Sequence, residues 1–361
     1  MKKNVLLKTI SLMLMGTLVL TACSLGKSET GTTATTENAT AETQDALNEM
    51  AEGTTGADLI NWDNMRNMTE SDGSTVYMTN DISAEGLVAI YEALGFEAKG
   101  NVAVKISTGE PPASNYLDPS LMKDLVNNLD ATIVECNTAY AGPRSSTAMH
   151  YQVAEDHGFT AIAPFVILDE DGSTSIPVTG GTYLTEDLVG SKFFDYDTYV
   201  ILSHFKGHAM AGFGGAIKNI SIGLGSQEGK FLIHTHGEST SEWVNDDQDP
   251  FLMSMAEAGS AVSTALNNGE NIVYINVMNR LSIDCDCDGF AHEPDMHDIG
   301  ILASTDPVAL DQACVDLIYA SEDDSEALIE RIEELNGELT LEHAEKIGLG
   351  SRTYHIVHID E

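Results

Sequence analysis

Between about Leu59 and Glu361, short runs rich in β-branched and aromatic residues alternate with stretches whose apolar residues recur at helical spacing. Such alternation leaves few architectures open, because a strand needs its faces covered and an amphipathic helix needs a surface to cover. It predicts an α/β fold with a mostly parallel or mixed central sheet and helices on both faces. The runs 102–107, 132–136, 199–203, 272–277, 299–303 and 354–359 read as strands. Ser83 reads as the cap of a helix carrying Leu87, Ile90, Tyr91 and Leu94, which Gly95 stops, and Asp306 as a cap with Pro307 at the first helical position. No internal repeat is present, and residues 57–361 read as one α/β domain.

The densest motif runs from Ser203 through His204, Lys206 and His208 to Lys218 and Asn219, and it directly follows an expected strand. In an open α/β sheet, polar side chains at that place emerge at the carboxyl end of a strand, where ligand crevices form. Its glycines allow backbone amides to approach an anion, with Lys206 or Lys218 supplying charge. The P-loop pattern is absent, so tight turns and a lysine ion pair are an equal reading. His234 and His236 stand two apart; read as a strand, 231–237 puts both imidazoles on one face, suited to one ion. With His204 and His208 they make four candidate metal ligands.

Cys285 and Cys287 lie in Asp284-Cys285-Asp286-Cys287-Asp288. If extended, they project two thiolates from one face, a donor set for zinc or iron. The alternative is oxidation: Cys136, Cys285, Cys287 and Cys314 permit three pairing schemes. Asp306 reads as an N-cap or a ligand, and Asp311, among apolar neighbours, needs a partner if buried. Arg144 and His150, near the helix expected from about Ser145 to His157, are secondary site candidates, whereas His157 beside Gly158 reads as a helix C-terminal partner.

Charge and the first residues bear on location. Acidic residues number 57 against 17 Lys and Arg, a formal charge of −40, which counts against nucleic acid because phosphates reward clustered cations. Residues 1–23 read as an export signal: Lys2, Lys3 and Lys8, an apolar stretch to Leu20, then Thr21-Ala22-Cys23. That ending resembles a bacterial lipobox, with Cys23 as the lipidation site, so the expected address is extracytoplasmic, anchored in the membrane by acyl chains on Cys23. Residues 24–56, rich in Thr, read as a disordered tether.

Together the segments SHFKGHAMAGFGGAIKNISIG, RLSIDCDCDG, DIGILASTDPVALDQAC and HAEKIGLGSRTYHIVHID resemble the domain-of-unknown-function family 362, over nearly all of residues 76–361. By that resemblance Lys105, Lys206, His208, Lys218, Asn219, Cys285, Cys287, Asp306 and Asp311 occupy positions of the family pattern. The ferredoxin-like module often fused in that family has no C-x-x-C-x-x-C counterpart here, and many relatives look cytosolic. Three readings stand. One is a metal-binding or redox-linked site in which His204, His208, His234, His236, Cys285 and Cys287 supply ligands and Lys206, His208 and Lys218 act on a small anionic ligand, with Lys105, Asn219, Asp306 and Asp311 binding it. Another is a non-catalytic lipoprotein that captures a ligand or metal for a transporter. The last is an envelope scaffold with disulfide-bonded cysteines.

Overall fold

The β-rich runs become strands. A computed structural model describes residues 54–245 and 247–360, so the export signal, Cys23 and nearly all of the tether lie outside the described residues. The strands are β1 (Ser74–Thr79), β2 (Val102–Lys105), β3 (Thr132–Glu135), β4 (Phe165–Ile167), β5 (Ser173–Pro177), β6 (Glu186–Gly190), β7 (Thr198–His204), β8 (Lys206–His208), β9 (Gly212–Gly214), β10 (Ile272–Met278), β11 (Gly300–Ser304) and β12 (Tyr354–His358). Eight of them form one sheet in the order β12-β1-β11-β10-β7-β2-β3-β4, and β5-β6 and β8-β9 make two small hairpins. Only β11 runs against its neighbours; every other pairing in the large sheet is parallel. The mixed, mostly parallel sheet is the expected one. β1, β4 and the two hairpins were not foreseen, because short or glycine-rich strands carry little periodic signal.

Side chains alternate along each strand, so one run feeds two cores. Tyr199 and Ile201 face one cluster, with Ile217 and Ile220 of the helix Ala216–Ser221, Val262 of Gln248–Ala265 and Leu310 of Pro307–Ala320. Val200 and Leu202 face the other, with Leu87 and Ile90 of Ala84–Ala93 and Met122 and Leu125 of Pro119–Asn128. Strands covered on both faces read as continuous apolar runs, and all seven residues of both β7 and β10 are buried. Among the described residues, no helix is long and apolar enough to cross a membrane.

Two aspartates expected to bind a ligand instead hold the fold together. Asp306 caps its helix, Oδ1 accepting from the Val308 and Ala309 amides, while Oδ2 accepts from Ser74 Oγ and the Ser351 amide. With both oxygens committed, it acts as a splice between distant segments. Asp311, fully buried, accepts from the amides of Ala216 and Ile217 and from Asn276 Nδ2. The anion cradled by the glycine-rich segment is therefore a side chain of the protein, and Gly215 is needed there because a Cβ would stand 2.3 Å from Asp311 Oδ1. Burial pushes the Asp311 carboxyl up to about 6.

The segment expected as a strand at 231–237 is the end of a helix, Gln227–His234, capped by Ser226 Oγ accepting from the Gly229 amide, followed by His236 at φ 41°. Its short apolar run did not distinguish a buried strand from a buried helix. His234 and His236 consequently do not share a face.

Asp311→Ala orphans two buried amides and the Asn276 amide group, and at about 1–3 kcal/mol for each unmet group it should lower unfolding free energy by about 3 kcal/mol in urea titration. An unchanged midpoint would refute this role.

Candidate active site

All seven parallel strands of the sheet point one way, and the chain passes from β2 outward to β3 and β4 before returning to β7 on the other side of β2. A crevice opens at such a reversal, beyond the carboxyl ends. A cavity of about 480 Å³ lies there, lined by the residues ending β2, β3 and β7, namely Lys105, Glu135 and His204, and by the cysteine turn. The lysine loop and the CDC turn thus meet. They are joined directly: the Gly207 amide donates to Ser282 O at 2.8 Å, and a Cβ on Gly207 would stand 2.3 Å from Ile283 O.

The CDC segment alternates its chemistry. Asp286 is buried, its Oδ1 2.8 Å from His204 Nδ1 and its Oδ2 accepting from Lys206 Nζ at 2.9 Å. Burial opposes its charge, but Lys206 and then His204 hold the carboxyl far below the usual range. Turned the other way, Cys285 and Cys287 line the cavity, and the Cys287 amide donates to Cys285 Sγ at 3.2 Å. All four described cysteines are free thiols, which removes the disulfide reading; Cys136 donates to Leu224 O and Cys314 takes a bond from Asn276.

His208, Cys285 and Cys287 offer ligand atoms all within 4.8 Å of one another, a group able to hold a metal ion. Hydrogen bonding from Cys287, then Lys218 and His208, draws the Cys285 thiol well below its ordinary value against the effect of burial, while the Cys287 thiol moves up. The pair shares a proton. His208 Nδ1 accepts from the amides of Met210 and Ala211, at 3.2 and 2.9 Å. Metal-bound imidazoles ordinarily donate from the second nitrogen, so the two sulfurs are the stronger part of this donor set.

Other expected ligands are engaged elsewhere. His204 faces acceptors at both ring nitrogens, Asp286 and Asn279 O at 2.6 Å, and offers a metal no lone pair. His236 does not line the cavity and packs its ring edge on Tyr183. His234 does line it, yet its Nδ1 must donate to Lys230 O at 2.6 Å, which makes Nε2 the acceptor nitrogen. Burial depresses His234 to about 3, so the ring is neutral at pH 7. Lys206, expected to grip an anion, is held by Asp286 and by His204 O. Lys105 spends its three N–H groups on Ile106 O, Glu135 Oε1 and Asn219 Oδ1. Asn219 Nδ2 in turn donates to Ser203 Oγ and Leu202 O, tying β2 to β7. Alone of the expected lysines, Lys218 makes no side-chain hydrogen bond or ion pair among the described residues.

A family described as "Domain of unknown function (DUF362)" matches residues 102–316, more than half of the chain. The chain belongs to the DUF362 family. No curated protein matches it. Among solved structures, the lactate racemase apoprotein from Thermoanaerobacterium thermosaccharolyticum is similar at 13% identity and TM-score 0.39, covering 66% of this chain and 56% of that one. A Thermotoga maritima protein is similar at 13% identity and TM-score 0.34, covering 73% and 58%. The chain spans less than two thirds of either protein's length, and at these scores the likeness informs neither activity nor substrate.

In this DUF362 chain several cavity residues were not foreseen. Glu135 sits at the end of β3, bonded to Lys105 and to the Thr108 amide, with Arg144 Nη1 3.7 Å away. Arg144, a secondary candidate, is buried on the cavity wall, donating to Glu110 and Tyr140. His150 lies behind it, 2.9 Å from Thr108 Oγ1, and His157 bonds Thr108 O instead of its own helix end. Lys230 and Trp243 complete the wall, the indole packing on Phe231 and His234. Read as a helix, 227–234 would have put Lys230 and His234 on one face at i, i+4.

Burial opposes the Glu135 charge, but Lys105 and then Arg144 hold its carboxyl down to about 2, against an ordinary 4.5. A depressed carboxyl gives stability that is whole above its unfolded value and lost as pH falls through the folded one. The Glu135 contribution should therefore persist at neutrality and disappear between about pH 4.5 and 2. Glu135→Gln leaves Lys105 buried without its counter-charge and should cost about 3–5 kcal/mol at pH 7 by urea unfolding, with the difference shrinking in that acid window; equal stability at pH 7 would count against it.

Proposed function

We propose that this is a membrane-anchored extracytoplasmic lipoprotein whose folded body carries a metal-dependent site for a small anionic ligand. The observation behind it is the convergence of His208, Cys285 and Cys287 in a cavity whose wall includes five cationic side chains, Lys105, Arg144, Lys206, Lys218 and Lys230, in a chain with only 17 Lys and Arg. The two sulfurs favour zinc or iron over hard cations, and His208, whose Nδ1 already accepts from two amides, joins them only by giving up its Nε2 proton, so the protein ligands leave coordination positions open, as in catalytic rather than closed structural sites. A metal held by these residues supplies Lewis acidity toward a ligand oxygen.

The remaining steps belong to the chain. Lys218, free of partners among the described residues, meets the incoming anion beside the sulfurs. His204 and Lys206 keep the CDC turn in place and do not touch the ligand. His234 offers an acceptor nitrogen to a ligand hydroxyl or N–H, being too weakly basic to serve as a strong base. The tether and the acylated Cys23 hold the cavity outside the membrane within reach of solutes.

Purified full-length protein should take up one zinc or iron ion per chain by elemental analysis after loading. Cys285→Ser and Cys287→Ser should abolish uptake, whereas His208→Ala, given the amide hold on its ring, should weaken chelator-competed affinity by only about tenfold. Loaded wild-type protein that stays metal-free would end the proposal. Turnover of a bound anion, as opposed to its stoichiometric retention, distinguishes an enzyme from a capture protein. Cys23→Ser should move the protein from the membrane fraction to the soluble extracytoplasmic fraction; retention in the membrane would remove the lipid anchor.

A further inference from the structure

The charges around the cavity do not balance. Lys105 is countered by Glu135, Arg144 by Glu110 and Lys206 by Asp286, each at 2.9 Å. Two ammonium groups remain. The Lys218 ammonium favours the thiolate of nearby Cys285 but makes no hydrogen bond or ion pair among the described residues. Lys230 is only 6% exposed, yet its Nζ donates to a single acceptor, Gly225 O, and forms no ion pair within 4 Å among the described residues. Asp169 and Asp187 act on it from farther away, and the two Asp169 oxygens already accept from the Asn137 and Gln227 amides. A buried ammonium with unused donors is costly unless something accepts from it.

The two groups stand at different ends. Lys218 runs alongside Lys206, their Cδ and Cε lying 3.2 and 4.0 Å from a Cβ built on Gly214, so it belongs to the β7 and CDC side. Lys230 is tied to Gly225, next to Leu224, whose carbonyl accepts from Cys136 just past β3. β7 and β3 are separated by β2 alone, two strand spacings or about 10 Å.

We infer that the cavity binds a small dicarboxylate, one acid group at Lys218 beside the sulfurs and the other at a second subsite built by Lys230. Taking the two-strand spacing as the scale of the separation between the two ammonium groups, charge-assisted contacts of about 2.8 Å at each end leave roughly 4–5 Å between the acids, which makes four- and five-carbon diacids the first to test. The inference rests on the anion-binding reading given above and adds to it the ligand's second charge and Lys230 as the residue that selects it.

The test is calorimetric titration of the full-length protein at pH 7 with succinate, glutarate, butyrate and inorganic phosphate. Succinate or glutarate should bind at least about tenfold more tightly than butyrate, the value of one charged hydrogen bond. Lys230→Met should erase that preference while leaving zinc uptake within about twofold, and Lys230→Arg should restore most of it. Lys218→Met should weaken diacid and monoacid alike. Equal affinity for butyrate and the diacids, a preference that survives Lys230→Met, or phosphate binding more tightly than either diacid overturns the second subsite and leaves anion binding standing. No heat with any of the four anions overturns both. If Lys230→Met melts early, the Lys230→Arg protein and the wild-type diacid-to-monoacid ratio still decide.

Discussion

Asp286 is the residue on which the site depends. Buried between two cysteines, it is held by His204 on one oxygen and Lys206 on the other, so the turn that bears the sulfurs is locked from its back. The alternation along Cys285-Asp286-Cys287 sends the carboxylate into the protein and the thiols into the cavity. Such a buried ionic cluster contributes little net stability, but it leaves few alternative placements for the turn. Two of the residues that look most chemical in the sequence, His204 and Lys206, are thereby consumed as scaffold.

The same economy applies around the cavity. In a strongly acidic protein, cations are scarce, and five of them line the cavity. Three serve internal carboxylates. The Lys105–Glu135 pair closes the ends of β2 and β3, and Asn219 bridges from Lys105 to the end of β7, so the floor is a fixed polar lattice at which three parallel strands terminate. What is left over for a ligand is small: the Lys218 ammonium, the largely unmet Lys230 ammonium, the His234 acceptor and the sulfurs.

The strands ending at Lys105, Glu135 and His204 were legible, within a residue or two, because β-branched runs buried on both faces have few other uses, and so were the caps at Ser83 and Asp306. The lysine loop was expected at the carboxyl end of a strand, and its meeting with Cys285 and Cys287 was an assumption of the metal-site reading. Less legible was which polar groups would be occupied. Nothing local marks Asp311 as the anion for the amides of Ala216 and Ile217, since that contact joins residues 95 positions apart. Lys230 was hidden by reading the adjoining segment 231–237 as a strand, an error of period that also misplaced His236. Glu135 looked like an ordinary strand end; only the fold brings Arg144 and Lys105 to it.

The reversal of β11 has its own effect. Because β10 and β11 are antiparallel neighbours, the chain leaves Met278 and re-enters at Gly300 on the same rim of the sheet, the rim with the cavity. A parallel successor would have required a crossover to the opposite rim, carrying residues 279–299 away. This connection is instead a loop attached at both ends to one edge of a rigid platform, so a change in its length outside the Asp286 anchor leaves strand register in place. The sulfur-bearing turn is the part of the protein that insertion or deletion could refashion most cheaply into a different receptacle.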